Sequence, residues 1–105
     1  MPDNSSSSPI VIVTKWQART GALASVLTLS DELRRLSLME PGCLGYEIFR
    51  GVGDSSDLLL LERYADGGAL QAHRCTAHYE RLVVRQILPM LSLRRVELLQ
   101  AVALP

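Results

Sequence analysis

Two histidines lie five positions apart in the second half of the chain, and they are its best candidates for acid–base chemistry. His78 falls near the start of a predicted helix, beside the apolar stripe and next to Thr76 and Tyr79. An imidazole, with a pKa of about 6.5, can take a phenolic or enolic proton at neutral pH. The electron-rich anion that results can react with O₂ directly. The alternative is a histidine that caps the helix or binds a backbone carbonyl, and the spacing does not separate the two.

His73 and Tyr64 are the next candidates, and each has a structural alternative. His73 follows Leu70 by three positions, so both side chains can share one face of a short helix. It is either a second acid–base group or a surface histidine at a helix end. Tyr64 ends an apolar strand, where a buried hydroxyl needs a partner. It either positions a substrate or is an ordinary core tyrosine. We predict catalytic roles for His78, His73 and Tyr64.

Glu62 is a carboxylate within a leucine-rich strand, on the same face as Leu60 and Tyr64. Burial would raise its pKa and require a partner, so structural pairing is the alternative to substrate contact. The predicted substrate-binding residues combine polar groups with aromatic or apolar walls: Thr14, Trp16, Phe49, Leu60, Glu62 and Tyr79. Cys43 and Cys75 show no metal-ligand spacing and no nearby base, so neither receives a catalytic role. No metal site is predicted.

The composition indicates one small domain with no electrostatic reason to bind polyanions. The 105 residues include 11 Lys plus Arg and 11 Asp plus Glu. This balance argues against nucleic acid or an anionic membrane as the partner. No run of ~20 apolar residues predicts a membrane span, and the polar N-terminus lacks the pattern of a signal peptide. With two cysteines read as reduced thiols, we expect a cytoplasmic protein.

Hydrophobic periodicity divides the chain into strands and helices after a polar tail. We predict that residues 1–8 are disordered and that residues 9–105 form one domain. The predicted strands are Ile10–Trp16, Cys43–Arg50, Asp57–Tyr64 and Leu93–Val102. The predicted helices are one that Thr20 caps and Pro41-Gly42 ends, one that Asp66 caps and that runs to about His73, and one that Thr76 caps and Pro89 ends or kinks.

This order of elements predicts an α+β fold, a ferredoxin-like sandwich with helices on one face of a four-stranded antiparallel sheet. The other sheet face is then bare, although the strands are apolar on both faces. The residues that the strands offer for this face are Val11, Val13, Leu44, Ile48, Leu59, Leu61, Val96 and Leu98. Hydrophobic residues also make up 48% of the chain, more than a small core readily buries. We therefore expect a homodimer that pairs the bare faces.

Three segments, in this order, carry a family resemblance: Glu-Pro-Gly-Cys-Leu-Gly-Tyr-Glu at 40–47, Glu-Arg-Tyr-Ala-Asp at 62–66, and Ala-Leu-Gln-Ala-His at 69–73 followed by Ala-His-Tyr at 77–79. Together they resemble the antibiotic biosynthesis monooxygenase family over about residues 10–102. The resemblance implies a dimeric α+β barrel of two back-to-back sheets, with a pocket between sheet and helices in each subunit. Members include quinol and anthrone monooxygenases that need neither metal nor flavin, haem-degrading oxygenases and an isomerase. The resemblance thus implies the fold more firmly than the reaction.

The chain departs from two branches of that family. The haem degraders resemble one another in an Asn and a Trp where this chain has Thr14 and His73, and no histidine follows His78 to bind iron. The anthrone-oxidising members carry an Asn and a Trp where this chain has Leu60 and Tyr64. The nearer resemblance is to the quinol-monooxygenase-like branch, in which a histidine in the Ala-His-Tyr segment is common.

We therefore expect an oxidoreductase, a cofactor-free monooxygenase that acts with O₂ on a small aromatic quinol or polyphenol, including polyketide-type substrates. His78 is the predicted base, and His73 and Tyr64 orient the substrate. One alternative is an isomerase or cyclase of a small enolisable molecule in the same pocket. Another is a non-catalytic dimer that binds a small molecule. Oxygen consumption with a quinol separates the two enzymes, and a pocket without convergent polar groups favours the binding protein.

Overall fold

The computed structural model describes residues 8–102, which form one sheet and the helices packed against it. The predicted tail, apart from Ser8, and the last three residues lie outside this range. The strands are β1 (Ile10–Ala18), β2 (Cys43–Arg50), β3 (Asp57–Tyr64) and β4 (Leu91–Leu99). The helices are α1 (Leu23–Leu38), α2 (Gly67–Arg74) and a π-helix (Tyr79–Ile87), which a 3₁₀ turn (Leu88–Met90) joins to β4.

The strands form one antiparallel sheet in the order β2-β3-β1-β4, with the two longest strands side by side. The β2–β3 hairpin and the two helical crossovers give the ferredoxin-like arrangement, so the predicted α+β fold class is confirmed. The bounds of β2 and β3 agree with the prediction residue for residue. β1 continues to Ala18, whereas β4 begins at Leu91 and ends at Leu99, both earlier than the predicted Leu93–Val102.

The start of α1 differs from the prediction that Thr20 caps it. The residue before the helix is Ala22, which provides no side-chain cap. The chain instead makes a tight turn, in which the Ala22 N–H donates to the carbonyl of Arg19 and Gly21 has φ +83°. Only glycine adopts that φ without strain, so the turn and not a threonine cap sets the entry to the helix.

Threonine and aspartate side chains begin the next two helical segments, as predicted. The Asp66 carboxylate accepts from the Ala69 N–H at 2.8 Å, and the Thr76 hydroxyl accepts from the Tyr79 N–H at 3.1 Å. The segment that follows Thr76 was expected to be α-helical, but Tyr79–Ile87 is a π-helix. The Leu88 N–H accordingly bonds to the carbonyl five residues earlier, at Val83. The sequence-based interpretation assumed an α-helical repeat, because π-helices are rare.

The helix side of the sheet carries the core. Alternate residues of β1 and β3 point to this side, and these side chains are buried: Ile12, Thr14, Trp16, Ala18, Leu58, Leu60, Glu62 and Tyr64. From the helices Val26, Leu33, Leu82, Val83 and Ile87 complete the packing. Two of these sheet residues, Thr14 and Glu62, are polar or charged, and they mark the place where a site can form.

The other side of the sheet is less covered within one chain. Val11, Val13, Leu59 and Leu61 are only partly buried there, and Phe49 is 48% exposed. Three residues predicted for this side lie on the helix side, because they pair in register with core residues: Ile48 with Leu60, Val96 with Thr14 and Leu98 with Ile12. In the described part of the chain, no helix is long and apolar enough to cross a membrane.

The bare sheet side generates a prediction about assembly. Val13 and Leu61 are cross-strand neighbours on this side. We expect Val13→Arg or Leu61→Arg to dissociate a homodimer, because an unpaired charge buried in an apolar interface costs several kcal/mol. Light scattering coupled to gel filtration at micromolar concentration measures the mass. Val52→Arg, the same change at a fully exposed loop valine, is the matched control and should remain dimeric. A monomeric wild-type protein contradicts the prediction.

Candidate active site

A narrow cleft opens between the helix side of the sheet and the two helical segments after β3. Its lining includes Thr14 and Trp16 from β1, Glu62 from β3, His73 from α2 and Tyr79 from the π-helix. The free space is about 380 Å³ up to the open mouth, but only about 30 Å³ admits the centre of a water molecule. A ring-sized ligand therefore needs side chains at the mouth to move. A larger hollow beside α1, with about 790 Å³ of free space, has no titratable residue in its lining.

His73 lies at the centre of the polar groups, and its two ring nitrogens have different surroundings. Nδ1 is 2.9 Å and 3.2 Å from the two carboxylate oxygens of Glu40. Nε2 is 3.7 Å from Oε1 of Glu62 on the cleft side. Because a carboxylate accepts, the Nδ1–H donates to Glu40, which leaves Nε2 of the neutral ring as a proton acceptor. Burial lowers the pKa of His73, against the raising effect of Glu40, so the neutral ring is favoured at pH 7.

Glu40 joins the two histidines. Its Oε2 accepts from His73 Nδ1 and also from His78 Nε2, the latter at 2.6 Å. Glu40 immediately follows the α1 C-cap, and the backbone behind it packs against α2. A Cβ on Gly42 would lie 2.3 Å from the Ala69 side chain, so only glycine allows this approach. The close contact holds the carboxylate of Glu40 next to the C-terminal end of α2.

Glu62 is a buried carboxyl group with weak partners. Its closest hydroxyl groups are long hydrogen-bond donors, Thr14 at 3.5 Å and Tyr64 at 3.4 Å. Burial raises the pKa of Glu62 to about 7, although these hydroxyls and the Arg74 charge act to lower it. At neutral pH the group therefore exchanges between acid and carboxylate beside the free nitrogen of His73. The pair can both accept and donate a proton.

Aromatic rings enclose His73. The Tyr64 ring lies 4.9 Å from the imidazole and is fully buried, and the Tyr79 ring meets it edge-on at 5.2 Å. Tyr46 is a third neighbour at 6.5 Å, and it also lines the cleft. Burial raises the pKa of both Tyr46 and Tyr64, so both phenols stay protonated at neutral pH. The rings fix the imidazole and exclude water from all but its cleft side.

The structure gathers most of the predicted site residues but not all of them. Five line the cleft: Thr14, Trp16, Glu62, His73 and Tyr79. Tyr64 reaches the site through Glu62 and the His73 ring. His78 stays outside the lining and contacts Glu40 from behind. Leu60 is fully buried in the core, and Phe49 lies on the bare sheet side, so neither lines this cleft. For Phe49 the reason is register, since it pairs with Leu59 on that side.

Sequence reasoning missed four polar residues of the site, Glu40, Tyr46, Arg74 and Arg94, and the apolar walls Ile12, Leu70, Val83 and Val96. Glu40 and Tyr46 lie in the segment 40–47 that carries the family resemblance, which was a usable signal for both. Arg74 directly follows His73, but at an exposed helix end it resembles any surface arginine. Arg94 reaches the cleft only because β4 pairs with β1 there.

Glu40, His73 and His78 also form the only candidate group of metal ligands in the described residues, with three ligand atoms within 4.8 Å of one another. Two histidines and a carboxylate suit several divalent transition metals. The same three atoms are already paired with one another by hydrogen bonds, so the arrangement is complete without an ion. Cys43 and Cys75 are both free thiols and neither belongs to the group.

The chain matches a known protein family and several proteins of that kind. The family model described as antibiotic biosynthesis monooxygenase matches residues 9–85, most of the described chain. The chain belongs to this family. The Mycobacterium tuberculosis protein named "Putative monooxygenase Rv0793" is 30% identical over 73 residues, which is 70% of this chain and 71% of that protein.

Solved structures agree with the fold of this monooxygenase family member. The structure of Rv0793 superimposes with a TM-score of 0.85 at 26% identity, over 91% of this chain and 97% of that one. PA3566 from Pseudomonas aeruginosa gives a TM-score of 0.86 at 26% identity, over 93% and 98%. The resemblance read from the three sequence segments is therefore confirmed, as is the ferredoxin-like fold of the subunit, while the dimeric barrel stays a prediction.

The raised pKa of Glu62 predicts a pH-dependent stability difference. The folded pKa of about 7 lies above the ordinary 4.5, so stability is full below about pH 4.5 and falls as pH rises to about 7. Glu62→Gln removes this loss. We expect the free energy of unfolding of the variant, relative to that of the wild type, to rise by up to about 3 kcal/mol between pH 4.5 and pH 8. Urea unfolding at several pH values measures it.

Glu80→Gln is the matched control, because Glu80 is exposed and pairs only with Arg85 on the surface. Its stability difference from the wild type should change little with pH. If the Glu62→Gln and Glu80→Gln differences follow the same pH curve, Glu62 does not titrate as its burial implies.

The cluster of Glu40, His73 and His78 generates a prediction about the metal and cofactor content of the purified protein. We expect purified protein to contain no stoichiometric transition metal, haem or flavin, because Glu40 already satisfies both imidazoles. Elemental analysis and the visible absorption spectrum measure this. Stoichiometric iron or zinc that disappears in His78→Ala would contradict the prediction and assign the cluster as a metal centre.

Proposed function

We propose that this family member is a monooxygenase that oxidises a small aromatic quinol or polyphenol with O₂ and without a cofactor. The observation that carries the proposal is the state of His73. Its Nδ1–H is held by Glu40, its ring is enclosed by tyrosines, and its free Nε2 faces the cleft. This is the arrangement that a general base needs, in which one ring nitrogen is oriented by a carboxylate and the other is available to substrate.

The geometry favours His73 over His78 as the base, which reverses the ranking made from the sequence. His73 lines the cleft, whereas the Nε2 of His78 is occupied by Glu40. In this assignment Glu40 is a positioning residue, and His78 supports it from the outer side. Tyr64 contributes through Glu62 and not by direct contact with the cleft.

The proposed reaction balances without an added reductant, because the substrate supplies all the electrons. His73 takes a proton from a substrate hydroxyl, and the anion passes an electron to O₂. The two radicals then combine to a peroxide at a ring carbon. Loss of water leaves a hydroxyquinone, so one oxygen atom enters the ring and the other leaves as water. Near neutral pH the protonated form of Glu62 can donate the proton that the departing water needs.

One observation favours a second candidate, an isomerase of a small enolisable molecule. His73 and Glu62 form a base and a titrating acid 3.7 Å apart, and enolisation requires a proton to leave one carbon and another to arrive nearby. Isomerisation consumes no O₂, which distinguishes it from the oxygenase. The convergent polar groups weigh against a protein that only binds its ligand.

The assignment of the base predicts a specific pH profile. We expect the rate with a competent quinol to rise with pH along a limb below the ordinary histidine value of 6.5, since burial lowers the pKa of His73. His73→Ala should lower the rate by ~10²–10⁴-fold and remove the limb. Oxygen-electrode rates from pH 5 to 9 measure both. Glu40→Gln should shift the limb to lower pH, because the Glu40 carboxylate stabilises the protonated ring.

Two variants make this test decisive. Glu62→Gln should keep the limb, while a limb near pH 7 that vanishes in this variant would make Glu62 the base. His78→Ala should keep both the limb and most of the rate. Loss of both in His78→Ala, in protein with unchanged circular dichroism, would restore His78 as the base.

A further inference from the structure

Two arginines line the cleft without a partner. Within residues 8–102, neither Arg74 nor Arg94 makes a hydrogen bond or a close ion pair, although the Arg74 charge acts on Glu62 and on His73. Arg34 and Arg81 are engaged, with the Tyr46 carbonyl and Glu32, whereas Arg50, Arg63 and Arg95 also have no partner in the described part of the chain but lie outside the lining of this cleft. Two unpaired guanidinium groups at the same cleft are a feature that the proposed oxidation does not use.

Arg94 lies on the helix side of the sheet, where an arginine is unusual. It pairs in register with Trp16, so both side chains leave the sheet on the same side. Most inward positions of β1 and β3 are apolar and buried, whereas Arg94 remains exposed at the edge strand. No acidic residue of the lining lies on β4 to neutralise it. The position therefore presents a charge to the cleft and adds little to the core.

The cleft is positive although the chain is neutral. Its charged lining residues are Arg74, Arg94 and Glu62, and Glu62 loses its charge as pH falls below about 7. The whole chain has equal numbers of basic and acidic residues. A local excess of positive charge over a neutral background raises the local concentration of anions at the cleft.

Trp16 supplies a third donor. Its side chain is buried, with 3% of its surface exposed, and the indole N–H has no hydrogen-bond partner in the described structure. An unpaired N–H in such a place costs free energy until an acceptor arrives. Trp16 lines the cleft beside Arg94, so an acceptor oxygen bound there can meet both groups.

We propose that the substrate is a small hydroxylated aromatic that carries a carboxylate, with the carboxylate bound by Arg74, Arg94 and the Trp16 N–H. The inference rests on the proposed function, since it names the substrate class for the same cleft. A planar carboxylate matches the paired donors of a guanidinium group. The substrate hydroxyl then lies beside His73 and Glu62, and the carboxylate lies toward Arg94 and Trp16, away from the Glu62 charge that would repel it.

Binding can be measured without turnover, because Trp16 is the only tryptophan of the chain and its fluorescence reports on the cleft. The probes are hydroquinone and 2,5-dihydroxybenzoate, which differ by one carboxylate, titrated anaerobically at pH 6. We expect 2,5-dihydroxybenzoate to bind on the order of tenfold more tightly. Arg74→Gln and Arg94→Gln should each remove most of this preference, measured as the ratio of the two dissociation constants. Arg85→Gln, at an exposed arginine outside the lining, is the matched control.

Equal affinity for the two probes, or a preference that survives in both arginine variants, would overturn the inference. Tighter binding of hydroquinone monophosphate than of 2,5-dihydroxybenzoate would also overturn it, because the site would then select phosphate. These outcomes are separate from failure of the proposed function. A carboxylate preference without oxygen consumption keeps the anion site and removes the oxygenase.

Discussion

The hydrogen bond from His73 to Glu40 is the interaction on which the site depends. It occupies the protonated Nδ1 of His73, so that Nε2 is the nitrogen left on the cleft side. A buried imidazole without this partner could rotate or change tautomer, and its free nitrogen would have no fixed direction. The bond also ties the loop after α1 to the end of α2, two segments that are 33 positions apart in the chain.

Burial of the polar groups around this bond costs free energy, and their surroundings reduce this cost. Glu62 and Thr14 are among the few polar side chains inside the sheet–helix core, and burial raises the Glu62 pKa to about 7. The Glu62 charge can therefore be removed by protonation near neutral pH. The tyrosines on either side of His73 keep the environment apolar enough to hold its pKa below the ordinary value. Burial thus raises the pKa of the acid and lowers that of the base, which favours a neutral carboxyl group beside a neutral imidazole near pH 7.

The rest of the fold serves to place these groups. Alternation along β1 and β3 directs Thr14, Trp16 and Glu62 to one side, and α2 delivers His73 above them. The π-helix brings Tyr79 against the imidazole, and π-helical segments are frequent at functional sites because they widen the backbone locally. The same alternation sends Val13 and Leu61 to the bare side, so the apolar surface that one chain leaves partly exposed and the site occupy opposite faces of a single sheet.

The sequence by itself determined the order of elements, the bounds of β2 and β3 and the family. Strand alternation and the Asp66 and Thr76 caps depend on residues close together in the sequence, so they can be predicted without knowledge of distant contacts. It also selected five of the cleft residues, because polar groups within apolar strands stand out along the chain. Tertiary structure alone decided that Glu40 orients His73, that His78 lies behind Glu40, and that Arg94 reaches the cleft. Those relations depend on the packing of Gly42 against Ala69 and on the register of β4 against β1, which bring together residues far apart in the sequence.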